Sequence, residues 1–350
     1  MHTFEYALRD RALPNDIVAR VAALAEHKGK QTSYLSAKPE ALRVLRETAI
    51  RQSTVASNAV EGIEASPDRL ALILGRSAHP RTRPEEEIAG YRDLLSMIDD
   101  LHDPHLLDVT PETILRMHRD LYRYTTDRTA GHWKSRDNVI ETRTEGGALI
   151  GVAFRPPAAA LTPQFMLELC KHLGQARSSC VAPDVIIIAA FVLDFLSIHP
   201  FDDGNGRMVR LLTHLLLLQE GYLVGKYVPL ERLIFETKEA YYGALRESSQ
   251  GWHARRHNPD PWIRYLLDVL LRAYGELEQR VDAVLGAAGP KAALIRDAIL
   301  SRQDVTIPAL RAIFPEVSRA YIFRVVKALE NEGNLRRIAR GKYAVAYKIT

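Results

Sequence analysis

A mainly α-helical protein with two small β-hairpins is what this sequence predicts, and three observations carry the prediction. Apolar residues recur at helical spacing over most of the 350 residues. Capping residues and glycines fall at the ends of those periodic runs rather than inside them. Only two stretches switch to short apolar runs flanking a glycine-containing turn. The expected architecture is a helical bundle carrying one β-hairpin, followed by a small helix-turn-helix unit of winged type.

Taken in order, Asn15 caps a first helix through Ile17, Val18, Val21 and Leu24, predicted to end near Gly29. Lys38-Pro39 opens a second, with Leu42, Leu45 and Ala49 on one side and Gly62 as its C-cap. A third covers the acidic stretch from Glu85 to Asp100. Thr110, with Pro111 just inside, starts a fourth that carries Ile114, Leu115, His118 and Leu121. The pattern then changes. Asn138 to Glu141 and Leu149 to Phe154 flank Glu145-Gly146-Gly147, a hairpin ended by Pro156-Pro157. Helices resume at Pro163 and include an apolar run from Val185 to Ile198 and a segment from Arg207 to Glu220 closed by Gly221.

A linker is predicted at Leu285-Gly286-Ala287-Ala288-Gly289-Pro290. Beyond it, Lys291 to Ser301 and Ile307 to Ile313 suit short helices, and Ser318 caps a third. Ile322, Val325, Val326 and Leu329 share one face of that helix, while Arg319, Ala320, Phe323, Arg324 and Lys327 share the other. Leu335 to Ile349, turning at Arg340-Gly341-Lys342, reads as a terminal hairpin. That layout is the one of a winged helix-turn-helix. Three regions are therefore expected: an amino-terminal helical region (1–95), a core (96–286) and a carboxy-terminal unit (290–350).

With 47% hydrophobic and 26% charged residues the composition is that of an ordinary soluble protein. Met1 to Asp16 is polar and not a secretory signal, and the Val185 run is too short to span a bilayer and contains Asp194. No membrane role is expected. Cys170 and Cys180 have no metal-like spacing, which suits free thiols in a reducing cytoplasm. The net charge of +4 hides an asymmetry: from Pro290 to Thr350 there are 12 Lys/Arg against 5 Asp/Glu, so the rest of the chain is acidic. An acidic partner, DNA or protein, is expected at residues 290–350.

The chemistry concentrates at Ile198-His199-Pro200-Phe201-Asp202-Asp203-Gly204-Asn205-Gly206-Arg207-Met208-Val209-Arg210. A glycine-rich turn opening a helix presents backbone N–H groups and the positive end of the helix dipole, a nest for phosphate oxygens. Arg207 can fork onto phosphate, and Arg210 lies one helical turn further along the same face. Asp203 is a hard oxygen ligand suited to Mg²⁺, and His199 titrates near neutrality and can accept a proton from a hydroxyl. Together these groups suit transfer of a phosphate-linked group from a nucleotide to a hydroxyl. The remaining histidines, among them His105, His118 and His214, form no metal set and are read as surface or packing residues.

The run His199-Pro200-Phe201-x-Asp203-Gly204-Asn205-Gly206-Arg207-x-x-Arg210 resembles the signature of the Fic (filamentation induced by cAMP) family at every specified position. The resemblance implies a Fic-type helical bundle that moves AMP from ATP onto a Tyr, Thr or Ser hydroxyl of a protein and releases pyrophosphate. It implies His199 as general base, Asp203 as Mg²⁺ ligand and Gly204, Asn205 and Gly206 as phosphate binders, with Met208 and Val209 inside the nucleotide-binding stretch. Arg207 would contact phosphate, and Arg210 would reach the γ-phosphate. Ser57-Asn58-Ala59-Val60-Glu61-Gly62 resembles the family's inhibitory-helix pattern, which implies that Glu61 occupies Arg210 and holds the enzyme off.

By the same resemblance the hairpin is a flap that holds the target, with Gly151, Val152, Ala153 and Phe154 bordering the nucleotide. Tyr241 and Tyr242 resemble a pair lining the adenine side. The Asn that many relatives carry after that pair is missing from Glu247-Ser248-Ser249-Gln250-Gly251, so GTP, CTP and UTP stay open beside ATP. The target hydroxyl, including one on the chain itself, and a homodimer also stay open. A different class of function, a DNA-binding regulator using the nucleotide site as a sensor, is the alternative, as is removal of AMP from a modified protein.

Overall fold

The computed structural model describes residues 2–8, 11–37, 39–143, 149–285, 290–300, 302, 304–339 and 341–345. The first helices are α1 (Asn15–Ala37), α2 (Pro39–Val60), α3 (Pro67–Leu74), α4 (Arg83–Asp100) and α5 (Pro111–Leu121). A hairpin follows, β1 (Ile140–Arg143) with β2 (Leu149–Phe154), and then α6 (Thr162–Ser179), α7 (Asp184–Ile198), α8 (Asn205–Gln219), α9 (Leu230–Glu236), α10 (Lys238–Ser249) and α11 (Asp260–Leu285). The chain ends in α12 (Pro290–Leu300), β3 (Asp304–Thr306), α13 (Ile307–Ile313), α14 (Arg319–Asn331), β4 (Leu335–Ala339) and β5 (Lys342–Val345). The expected mainly helical fold is what the structure shows.

α7 is the axis of the bundle because it is apolar on every side, which only a central helix can accommodate. All of its residues from Val185 to Phe195 are buried, and it touches α6, α8, α10, α11 and a short helical turn at Thr3–Leu8. Its one charged interior residue, Asp194, is fully buried and satisfied: it accepts from Thr3 Oγ1 at 2.5 Å and from Trp252 Nε1 at 2.7 Å. Burial nonetheless pushes its carboxyl up to about 6.

Several boundaries differ from the sequence expectation for physical reasons. α1 runs through Gly29 to Ala37, since one interior glycine costs only about 1 kcal/mol and the later turns are anchored. His27 stacks on Tyr274 of α11 (centroids 5.3 Å), and Gln31 donates to the Gly221 carbonyl at 2.5 Å. β1 starts at Ile140 rather than Asn138, whose side chain is engaged elsewhere. The turn at Glu145-Gly146-Gly147 lies outside the described residues, as do Gly286–Gly289 of the expected linker and Arg340 of the terminal turn.

The carboxy-terminal elements form a three-stranded antiparallel sheet in the order β3-β5-β4, so β3 is a strand that periodicity did not reveal. Thr306 and Ser318 cap α13 and α14, accepting from Ala309 N and Tyr321 N. Ile322, Val326 and Leu329 of α14 are buried as expected, and Phe323, Arg324 and Lys327 are exposed. The apolar cluster beneath them includes Leu294, Ile295, Leu310 and Phe314, and also Leu45 of α2. Arg51 of α2 donates to the Ala312 carbonyl at 2.9 Å. Among the described residues no helix is long and apolar enough to cross a membrane.

Candidate active site

The loop between α7 and α8 is built around a histidine in an uncommon conformation. His199 caps α7 with φ 50° and ψ 63°, its N–H bonded to the Phe195 carbonyl at 2.9 Å. A left-handed residue with a Cβ costs on the order of 1 kcal/mol, so a glycine would be the cheaper cap. The loop then closes on Asn205, whose Oδ1 accepts from Phe201 N and whose Nδ2 donates to Phe201 O, both at 2.9 Å. Asn205 is buried and acts as a brace of the turn. Gly204 takes φ 81° at the start of α8, where its own Cβ would meet the Tyr122 hydroxyl.

His199 is half-buried and its Nδ1 is buried with no well-formed hydrogen bond among the described residues. Burial pushes the imidazole down to about 4, and the Lys134 ammonium adds to the effect. The Leu196 carbonyl and the Glu61 and Asp203 carboxylates pull the other way. The ring is therefore neutral at pH 7, the form a proton acceptor needs.

Arg210 is buried and claimed by the end of α2. Its Nε donates to Ser57 Oγ at 2.8 Å, and its Nη2 donates to Ser57 O at 2.9 Å and to Glu61 Oε1 at 2.8 Å. The acidic neighbour outweighs burial and raises the guanidinium further. Glu61 follows the last residue of α2 and precedes Gly62 at φ 75°, so its carboxylate sits where the helix dipole disfavours it and Arg210 relieves that cost. The same carboxylate lies over the nest: a Cβ on Gly206 would collide with Glu61 Oε1. Arg210 Nη1, 3.2 Å from that Cβ position, is buried and makes no well-formed hydrogen bond among the described residues, with Tyr241 nearby.

Arg207 is placed differently from its neighbour. It is 1% exposed, its Nη1 stands 2.5 Å from Glu87 Oε2 and its Nη2 donates to the Tyr122 hydroxyl at 2.7 Å. Its Nε and Nη1 are buried without a well-formed hydrogen bond among the described residues. Asp203 is exposed, with Oδ2 3.7 Å from Arg207 and 3.6 Å from Arg83, while its Oδ1 accepts from Gly204 N at 2.7 Å. Met208 and Val209 are core residues, and the Met208 N–H is already bonded to Gly204 O at 2.9 Å. That leaves the N–H groups of Asn205, Gly206 and Arg207 at the start of α8 for an anion.

The hairpin pairs Glu141 with Val152, Thr142 with Gly151 and Ile140 with Phe154. Val152 is 47% exposed, Ala153 is half-buried and Phe154 stacks on His253 at 5.3 Å. Tyr241 is buried against Trp262 and Tyr265, whereas Tyr242 is 42% exposed. Of the pair, only Tyr242 offers a face to a ligand.

Several supporting residues escaped the sequence reading. His118, taken for a packing residue, stacks on Phe201 at 3.7 Å, accepts from Gly131 N at 3.0 Å and donates to Asp203 O at 3.1 Å. Lys134 and Asn138 bond the carbonyls around His199. Their signal in the sequence is faint: a lysine ahead of a predicted strand and an asparagine at its start are ordinary surface residues in most proteins. His214 pairs in the interior with Asp99 at 2.6 Å, and His105 is exposed.

A helix N-terminus with free N–H groups, a neutral histidine beside it and an arginine behind it are groups suited to binding phosphate oxygens. Residues 108–217 match the Fic/DOC family, and the chain carries a Fic/DOC family domain there. The chain is 26% identical over 213 residues to a protein adenylyltransferase Fic of Drosophila persimilis, covering 58% of this chain and 37% of that one. It is 29% identical over 119 residues to a probable protein adenylyltransferase of Aquifex aeolicus, covering 34% of each. The chain thus spans little more than a third of the curated relatives it matches. Its fold is similar to that of a Fic family protein from Desulfovibrio desulfuricans, with a TM-score of 0.61, 22% identity and coverage of 98% and 99% of the two chains. A Fic domain containing signaling protein from Bacteroides thetaiotaomicron aligns with a TM-score of 0.57 at 22% identity, over 72% of this chain and 94% of that one.

Proposed function

We propose that this chain transfers AMP from ATP to a hydroxyl of a protein and that Glu61 holds the transfer off. The observation that supports this most is Arg210 Nη1, without a well-formed hydrogen bond among the described residues, beside the open N–H groups of α8, with His199 closing the preceding helix α7 across the same loop. In the reaction the target oxygen attacks the α-phosphorus and its proton passes to His199 Nε2. The bond from that phosphorus to the bridging oxygen breaks, and the electron pair leaves with pyrophosphate. Charge developing on the phosphate oxygens meets the N–H groups of Asn205 and Gly206 and, once Glu61 has moved, Arg210.

No three metal-ligating side chains converge among the described residues. One exposed carboxylate beside an anion nest does fit Mg²⁺, which commonly uses one or two carboxylates together with substrate phosphates. Asp203 would hold it there, and when bound it supplies neutralisation of phosphate charge. Tyr242 would face the base, and the free edge of β2 around Val152 would receive the target as an extended peptide. The relatives named above are called adenylyltransferases, which favours ATP as co-substrate.

In this reading, residues 1–95 carry the inhibitory helix, 96–286 are the catalytic core, 290–350 are a winged helix, and the protein works in the cytoplasm. The order α12–β3–α13–α14–β4–β5 supports the winged-helix assignment. Arg319, Arg324, Arg336 and Arg337 are all exposed there, which suits an acidic partner, either a protein or duplex DNA. ATP labelled in the α-phosphate, incubated with host lysate and the Glu61→Gly protein, should label a protein band that is absent with His199→Ala. Label from the γ-phosphate in that band instead would mean phosphoryl transfer and sink the proposal.

A further inference from the structure

The backbone between α7 and α8 turns away from helix geometry at Ile198, and buried carbonyls there need partners from outside the loop. Four successive carbonyl oxygens are served by two residues of one upstream segment. Lys134 Nζ donates to Ile198 O at 3.0 Å, and Lys134 N donates to Pro200 O at 2.8 Å. Asn138 Nδ2 donates to His199 O at 3.3 Å and to Phe201 O at 3.2 Å. The two are tied to each other, since Lys134 Nζ also donates to Asn138 Oδ1 at 2.9 Å. Lys134 is only 3% exposed, an uncommon placement for an ammonium, and burial pushes it down to about 8.

The segment also packs against the loop, with Trp133 stacked on Phe201 at 5.3 Å. It then runs directly into the hairpin: Asn138 stands two residues ahead of Ile140, the first residue of β1, which pairs with Phe154. One stretch of chain therefore touches the four carbonyls from Ile198 to Phe201 and begins the strand pair beside them.

We propose that Lys134 and Asn138 are positioning residues for His199, holding the left-handed histidine in register with the hairpin that would present the target. The proposal rests on His199 being the base of the reaction above. Its mechanism is geometric: a proton acceptor misplaced by an ångström loses much of the advantage of a preorganised site. The Lys134 ammonium contributes a second effect, because a cation beside a buried ring disfavours the imidazolium. The charged groups facing His199 are Lys134, which opposes protonation, and Glu61 and Asp203, which favour it.

The test uses the full chain with Glu61→Gly as parent, comparing Lys134→Met, Lys134→Arg and Asn138→Ala. Three quantities are read: the titration midpoint of His199, from NMR of histidine-labelled protein assigned with His199→Ala, and kcat and KM for incorporation of AMP. Lys134→Met should raise the midpoint by about one pH unit and lower kcat by about 100-fold with KM for ATP little changed. Asn138→Ala should lower kcat about tenfold or more without moving the midpoint, and Lys134→Arg should return the midpoint toward the parent value. A Lys134→Met protein that keeps the parent's midpoint and kcat overturns the proposal, as does a change confined to KM. If Lys134→Met does not fold, Asn138→Ala and Lys134→Arg still decide it. A parent that incorporates no AMP at all would defeat the transferase reading alone, and the titration of His199 would still show whether Lys134 acts on it.

Discussion

Replacing Glu61 with glycine should convert the resting protein into an active one, and the structure sets the scale of the change. Arg210 is held by three hydrogen bonds, two to Ser57 and one to Glu61. Glu61→Gly removes one of them and leaves Arg210 anchored by Ser57, so the guanidinium stays in place with its outer side free. A hydrogen bond between charged groups is worth about 1.5–3 kcal/mol. Since Glu61 also covers Gly206, a triphosphate must displace the carboxylate to settle. Removing that competitor should tighten ATP binding by about ten- to a hundredfold. Isothermal titration with ATP and Mg²⁺ measures the affinity, and α-phosphate incorporation measures the consequence. Glu61→Gln separates charge from bulk: if the carboxylate's charge dominates, the amide should recover most of the gain, and if its volume over Gly206 dominates, it should recover little. Glu61→Gly with wild-type ATP affinity and no added incorporation would refute the reasoning.

Two further outcomes follow from the same geometry. The His199 imidazole lies at about 4, below its usual 6.5, so the neutral base persists as pH falls through 6.5 and is lost only near 4. Incorporation by Glu61→Gly should therefore hold from pH 8 to about 5 and fall about tenfold per unit below 4, and an acid limb centred near 6.5 would contradict the burial of the ring. Leu45→Ala should destabilise the carboxy-terminal cluster by about 2–5 kcal/mol and raise incorporation above wild type, because the lost contact anchors α2. A lowered melting temperature with unchanged incorporation would separate that cluster from the active site.

The helices and the loop at His199 were legible because both are written locally, in periodicity, caps and a contiguous run of chemically specific residues. The Ser57 to Gly62 run was legible for the same reason, and the structure sets its Glu61 against Arg210 at 2.8 Å. What escaped was non-local. Glu87 sits on an acidic helix face and looks solvated until α4 places it 2.5 Å from Arg207, an interior ion pair that the sequence does not reveal. Lys134 and Asn138 acquire meaning only when the chain returns with carbonyls to be bonded. β3 is three residues long, too short for alternation to register.

α2 is where these local and non-local readings meet. The helix is 22 residues, about 33 Å of rise, with Leu45 near one end in the carboxy-terminal core and Ser57 near the other against Arg210. Between them Arg46 reaches Asp99 of α4 at 3.5 Å and Asp100 at 2.5 Å, and Arg51 bonds the carbonyl of Ala312. A buried leucine and the single bond from Glu61 contribute on the same order, about 1.5–3 kcal/mol each. The position of Glu61 is therefore set by packing at the far end of the helix as well as by its own ion pair. If Glu61 holds the transfer off as proposed, altering what α12, α13 and α14 pack against would shift its hold on Arg210 with no residue of the His199 loop changed.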